Sequence, residues 1–161
     1  MRISVKGRYA LAAMIVVAEG DHGNHGENCV TAARVSERLG LSKIYLEQVF
    51  SLLKKGGLVH SVKGAQGGYR PARPAREITA FDILSSSEAS LFEKTEDLSD
   101  EAGSSGQRGA PNDAFAVNTV MGRSVFDPLD EAVRGVLTKI TLGDLVRETE
   151  KHASGGLMFY I

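Results

Sequence analysis

Two helix caps and two glycine breaks between Thr31 and Gly57 constrain this chain more than any other feature. Thr31 caps a helix over about Ala32–Leu39, Gly40 breaks it, and Ser42 caps a second helix running to about Lys55, where Gly56-Gly57 ends it. Helix, tight glycine turn, helix is the layout of a helix-turn-helix. Leu58-Val59-His60-Ser61-Val62 then alternates as a strand, residues 63–68 form a glycine-rich turn, and Tyr69-Arg70 begins a returning strand before Pro71 and Pro74. The pattern predicts a helix-turn-helix followed by a β-hairpin wing.

The flanks are helical. Val5, Tyr9, Ala12 or Ala13, Val16 and Val17 recur at helical spacing over residues 5–19, whereas residues 19–28 read as a loop of glycine, histidine and asparagine. After the wing, Thr79 with Asp82 forms a cap pattern for a helix to about Ser86, and Thr141 with Asp144 repeats it for a final helix through about Lys151. Residues 96–112 are rich in Gly, Ser, Asp and Glu and have little to bury, which predicts a mobile loop. Leu129, Val133, Val136, Leu137 and Ile140 then share one helical stripe, an interface for a second copy of the chain or the closure of an intrachain core. Asp127-Pro128 leaves two readings: a long helix begins at Pro128, or a helix from about residue 113 bends there.

The fold class is therefore mainly α with a small β-hairpin wing. Residues 1–80 read as a winged helix-turn-helix domain, motif about 32–55 and wing about 58–71, and residues 81–161 as a helical dimerisation region with a long C-terminal helix. In the 161 residues, 42% are hydrophobic, enough for a core. The apolar run over 9–18 is about half the length that spans a bilayer, and no small-residue cleavage site precedes Glu19 and Asp21, which argues against a membrane anchor or a secretory signal. The single cysteine, Cys29, excludes an intrachain disulfide or a site needing several thiolates from one chain. A cytoplasmic setting is expected.

Net charge is −1, yet residues 1–80 hold 12 Lys and Arg against 6 Asp and Glu, while residues 81–161 hold 7 against 14. A basic half beside an acidic one suggests a polyanionic partner for the first. In the second helix of the motif, Leu46, Val49, Phe50 and Leu53 lie at core spacing, and the opposite face carries Ile44, Glu47, Gln48, Ser51 and Lys55. Recognition helices read bases from their N-terminal residues, so Lys43, Ile44, Glu47 and Gln48 are the groove candidates. Gln bonds adenine in bidentate fashion and Glu accepts from the cytosine amino group. Ser42 and Tyr45 suit phosphate contacts at the helix N-terminus, although Tyr45 suits packing equally. Lys6 and Arg8 near the first helix, and Lys63 and Arg70 flanking the wing turn, are further phosphate candidates. Glycine at the wing tip, Gly67 included, lets backbone approach the minor groove while Lys63 or Gln66 reaches in. A nucleotide-binding loop needs a helix after the glycines, and Tyr69-Arg70-Pro71 opens none, so an enzyme is not expected.

Read in order, five segments resemble the Rrf family of bacterial winged helix-turn-helix transcription regulators, the type of IscR, NsrR and CymR. They are Met1-Arg2-Ile3-Ser4-Val5-Lys6-Gly7-Arg8-Tyr9-Ala10-Leu11, Tyr45-Leu46-Glu47-Gln48, Gly67-Gly68-Tyr69-Arg70, Glu77-Ile78-Thr79 and Ile140-Thr141-Leu142-Gly143-Asp144-Leu145. The resemblance covers nearly the whole chain. It implies a homodimer on double-stranded operator DNA, paired through one long, kinked C-terminal helix. Many members hold an iron–sulfur cluster through three cysteines before that helix, but residues 90–117 here contain neither cysteine nor histidine. No cofactor or metal is therefore expected, and the chain is most like the cysteine-metabolism (CymR) type, some of whose members respond through an enzyme of cysteine synthesis. The expected function is a sequence-specific, homodimeric DNA-binding repressor without a cluster, with input from a protein partner or a small metabolite. The alternatives are an iron–sulfur or thiol-based redox sensor of the same family, with Cys29 as the thiol, and a helix-turn-helix interaction module without DNA binding. His22, His25 and Cys29 are close enough in sequence to raise a metal site, but their loop composition suits solvent equally.

Overall fold

The structure is a computed structural model that describes residues 3–21, 28–88 and 111–155. The expected loop at 96–112 falls largely outside the described residues, as do His22 and His25. The elements run α1 (Val5–Gly20), α2 (Ala32–Leu39), α3 (Lys43–Lys55), β1 (Val59–Val62), β2 (Gly68–Pro71), a 3-10 turn (Ala75–Glu77), α4 (Ala80–Ser87), α5 (Pro111–Met121), a π turn (Gly122–Phe126), α6 (Asp127–Leu137) and α7 (Leu142–Gly155).

Side chains at the helix starts decide where these helices begin. Ser4, Thr31 and Ser42 each take an extended conformation and accept a hydrogen bond from the backbone N–H three residues on, at Gly7, Arg34 and Tyr45. Each thereby satisfies a donor that has no partner inside the helix. Gly40 ends α2 in the left-handed region, φ 63°, and its N–H returns to Ser36. The turn between α2 and α3 is fixed by these two devices together.

Wing pairing is antiparallel, with Val59 opposite Pro71 and Val62 opposite Gly68. The strand starts at Val59, one residue later than the alternation suggests, and the buried Leu58 before it extends the pairing by accepting from the Ala72 N–H at 3.0 Å. Bonds alternate along such a ladder, so Pro71, lacking an N–H, falls where none is needed toward β1. On the other side of β2, Val30 and Tyr69 exchange both backbone bonds at 2.8 Å. A Cβ on Gly68, φ 154°, would sit 2.6 Å from the Val30 carbonyl oxygen, so glycine is what permits this approach.

One core joins these pieces. Met14 and Val17 of α1, Val35 of α2, Leu46, Phe50 and Leu53 of α3, Leu58, Ile78 and Ile83 meet in a single buried cluster, and Leu142 from the start of α7 belongs to it. Two capping boxes hold α7 and α4 side by side. Thr79 and Asp82 exchange backbone-to-side-chain bonds, as do Thr141 and Asp144, and between the two caps Ala80 N–H donates to Ile140 and Leu142 N–H to Ile78. The Thr141 hydroxyl and backbone N–H, with Arg147 adding a further bond, hold the Asp144 carboxyl below its ordinary value. α7 runs four residues past the expected Lys151, carried by Lys151–Glu148 pairing and Ser154 bonding back to Glu150.

Of the two readings of Asp127-Pro128, a helix that begins at Pro128 is overturned, and a helix that runs through the proline from about residue 113 matches the structure in its continuity. Helical backbone is continuous from Pro111 to Leu137, so no helix starts afresh at Pro128. The run is interrupted by the π turn Gly122–Phe126, after which the Asp127 N–H reaches back five residues to Gly122. The wider turn just before proline accommodates a residue without an N–H inside a helix, where a regular α turn would clash.

Candidate nucleic-acid interface

The exposed half of α3 is the part of the molecule best suited to enter a groove. Leu46, Val49, Phe50 and Leu53 bury the inner face, which leaves Lys43, Ile44, Glu47, Gln48 and Ser51 outward. Ile44, an isoleucine in the first turn of the helix, is 73% exposed. Ser42 is exposed, and its oxygen is occupied by the Tyr45 N–H, so its hydroxyl proton is what remains for an acceptor.

Tyr45 packs. Its half-buried ring meets Tyr9 edge to face, centroids 5.5 Å apart at 89°, which ties α3 to α1. Behind it Phe50 and Tyr69 stack with centroids 3.8 Å apart, which ties α3 to the wing. Lys54 Nζ donates to Ser61 Oγ at 2.9 Å, a second link between the end of α3 and β1. Helix α3 is therefore braced on both sides, and Glu47 and Gln48 stand on a rigid element.

The other candidates distribute around it. Lys6 and Arg8 are exposed on the first turn of α1, and Lys63 and Gln66 are exposed at the wing turn. Gly67 is half-buried, its N–H donating to Gly64 at 3.0 Å, and Arg70 is half-buried on β2 opposite His60. Cys29 is half-buried next to Val30, the residue paired with Tyr69. Sequence reasoning passes over Arg34, exposed on the first turn of α2 and anchored by its N–H to Thr31. Its position three residues past a cap was the available signal, since the first helix of such a motif crosses the backbone near its N-terminus.

Elsewhere in the molecule, the long helix keeps apolar side chains in solvent. Leu129 and Val136 are 58% and 60% exposed, whereas Val133, Leu137 and Ile140 are half-buried. Val117, Val120 and Val125 are exposed as well, residues the stripe at 129–140 did not include. A π turn uses more residues per circuit than an α turn, so the five-residue step from Val120 to Val125 keeps them on the face that Leu129 and Val136 continue. Treating proline as a break is what hides that alignment in the sequence. Arg134 lies over the Phe81 ring at 4.7 Å and holds the helix's C-terminal end to α4.

A family model described as "Iron-dependent Transcriptional regulator", Rrf2, matches residues 3–148. The chain belongs to the Rrf2 family. It is 37% identical over 150 residues to the HTH-type transcriptional regulator IscR of Klebsiella pneumoniae, covering 93% of this chain and 82% of that protein. Among solved structures it is similar to CymR, the global cysteine regulator of B. subtilis, with TM-score 0.66, 31% identity and coverage of 92% and 98%. T. potens IscR is similar too, with TM-score 0.66, 34% identity and coverage of 94% and 90%. This Rrf2 protein is a DNA-binding transcription regulator with a winged-helix fold, and its relatives are regulators, not enzymes. Its residues do not fit a three-cysteine cluster, because the chain has one cysteine, on the wing side of the molecule. Among the described residues no three His, Cys, Asp or Glu side chains gather as metal ligands, and no helix is long and apolar enough to cross a membrane.

Proposed function

We propose that two copies of this chain pair through the long helix and repress transcription by binding a twofold operator, without an iron–sulfur cluster. The observation that carries this reading is the division of α3, fully buried on one face and on the other presenting Ile44, Glu47 and Gln48 with Lys43. Gln48 suits adenine, Glu47 suits the cytosine amino group, and Ile44 suits a thymine methyl. Lys6, Arg8, Ser42, Arg34, Lys63 and Arg70 supply phosphate contacts that set the register, and Gln66 and Gly67 follow the wing into the minor groove.

A homodimer follows from the apolar face 117–136, because one helix-turn-helix covers one half-site and a symmetric pair covers two. With the cluster ligands missing, the signal comes from a protein partner or a small metabolite. An enzyme of cysteine synthesis is the protein candidate, given the likeness to CymR. Genome-wide mapping of bound DNA identifies the operator and, from its genes, the metabolite. Binding to that operator is then measured against random duplex across a salt series. Operator preference that Gln48→Ala removes supports the reading, and equal affinity for both duplexes at every salt overturns it.

A further inference from the structure

The inner end of α4 reaches the first turn of α1. Glu88, directly after α4, is 9% exposed, and its Oε1 accepts from the Ser4 N–H at 2.7 Å, a contact across 84 positions of sequence. Ser4 is the cap of α1, with its own oxygen taken by the Gly7 N–H. The carboxylate thus occupies the positive end of the helix, where unpaired N–H groups favour an anion. Gly7 is part of the same arrangement: a Cβ there would overlap Glu88 Oε1 and lie 2.8 Å from its Cδ. A glycine inside a helix is otherwise unfavourable, so the carboxylate accounts for its presence.

What this contact holds in place is the DNA-facing turn. Lys6 and Arg8 flank Gly7 and are exposed, and Tyr9, next along, is the ring packed against Tyr45 of α3. We infer that Glu88 is a positioning residue for DNA binding, fixing the N-terminal turn of α1 so that Lys6 and Arg8 meet phosphates in register with the recognition helix. It touches no DNA itself. The inference rests on the phosphate role of Lys6 and Arg8 proposed above.

Binding of full-length protein to operator and to random duplex over a salt series tests it, alongside amide hydrogen exchange and thermal melting of the free protein. Glu88→Ala should weaken both duplexes by roughly five- to tenfold and make the slope of log affinity against log salt shallower by about 1, the mark of a lost phosphate contact. Exchange at Ser4 to Arg8 should accelerate. Glu88→Gln keeps an acceptor oxygen and should restore most of the affinity, and Gly7→Ala, which displaces the carboxylate from the other side, should reproduce the Glu88→Ala slope. In a Lys6→Ala, Arg8→Ala background the Glu88→Ala effect should vanish. If Glu88→Ala melts early, Gly7→Ala decides by the same slope criterion, and Glu88→Gln serves as the folded control that should keep the wild-type slope. Unchanged slope in folded Glu88→Ala or Gly7→Ala overturns the inference, as does a loss that persists in the double-alanine background. Wild-type binding by the double-alanine protein itself would instead remove the phosphate role on which it rests.

Discussion

The two ends of this molecule dispose of their apolar residues in opposite ways. Around α3 the large apolar side chains of the inner face are buried, and Ile44 is the one large apolar residue of that helix left exposed. Along the long helix no residue of α6 is buried, and Val117, Val120, Val125, Leu129 and Val136 share an exposed face. One end closes its apolar face within a single chain and presents polar side chains outward; the other leaves apolar side chains in solvent. An exposed apolar face of this kind is a candidate association surface, and under the function proposed above a second copy of the chain covers it.

That contrast makes separable demands on mutations. The largest loss of fold stability should come from Phe50→Ala, which empties the junction of α3 and wing, at about 3–5 kcal/mol by chemical denaturation. Dimerisation should be affected only through unfolding. Replacing Leu129 and Val136 by glutamate should convert dimer to monomer in sedimentation and lower operator affinity by about a hundredfold or more, the scale of lost avidity between two half-sites. Loss of folding without a change in association state would contradict the division of labour. Gln48→Ala should leave both fold and dimer intact and reduce operator preference by about 1–3 kcal/mol, read as the ratio of operator to random-duplex affinity.

Smaller effects sharpen the junction between the two ends. Thr141→Ala removes one half of a capping box and should cost about 1 kcal/mol of stability. Asp144, held below its ordinary value chiefly by the Thr141 hydroxyl, contributes stability that is complete above the unfolded carboxylate value and fades as pH falls through the lowered one. Acid titration of stability should therefore steepen just below the ordinary carboxylate range in the wild type and flatten there in Asp144→Asn.

Much of this architecture is written locally. Thr31, Gly40, Ser42 and Gly56 bound α2 and α3 at the residues where they end, because cap chemistry acts within three or four positions. The outward set Lys43, Ile44, Glu47 and Gln48 is equally legible from helical spacing. Contacts made across the chain were not: nothing in the spacing of Val30 or Tyr69 tells that they pair, that Phe50 stacks on Tyr69, or that Glu88 meets Ser4. For Tyr45 the spacing leaves packing and phosphate contact open, and the structure shows its ring packed on Tyr9, thirty-six positions away. The π turn was hidden because its cause, a proline within a helix, reads locally as a boundary. The result was an interface stripe beginning at Leu129 where exposed valines continue back to Val117.

Sedimentation combined with anisotropy on a labelled operator, across a salt series, tests the central claim most directly. Two chains should bind each operator, with affinity falling steeply as salt rises and operator preferred over random duplex at each concentration. One chain per operator, or no preference between operator and random duplex at any salt, would contradict it.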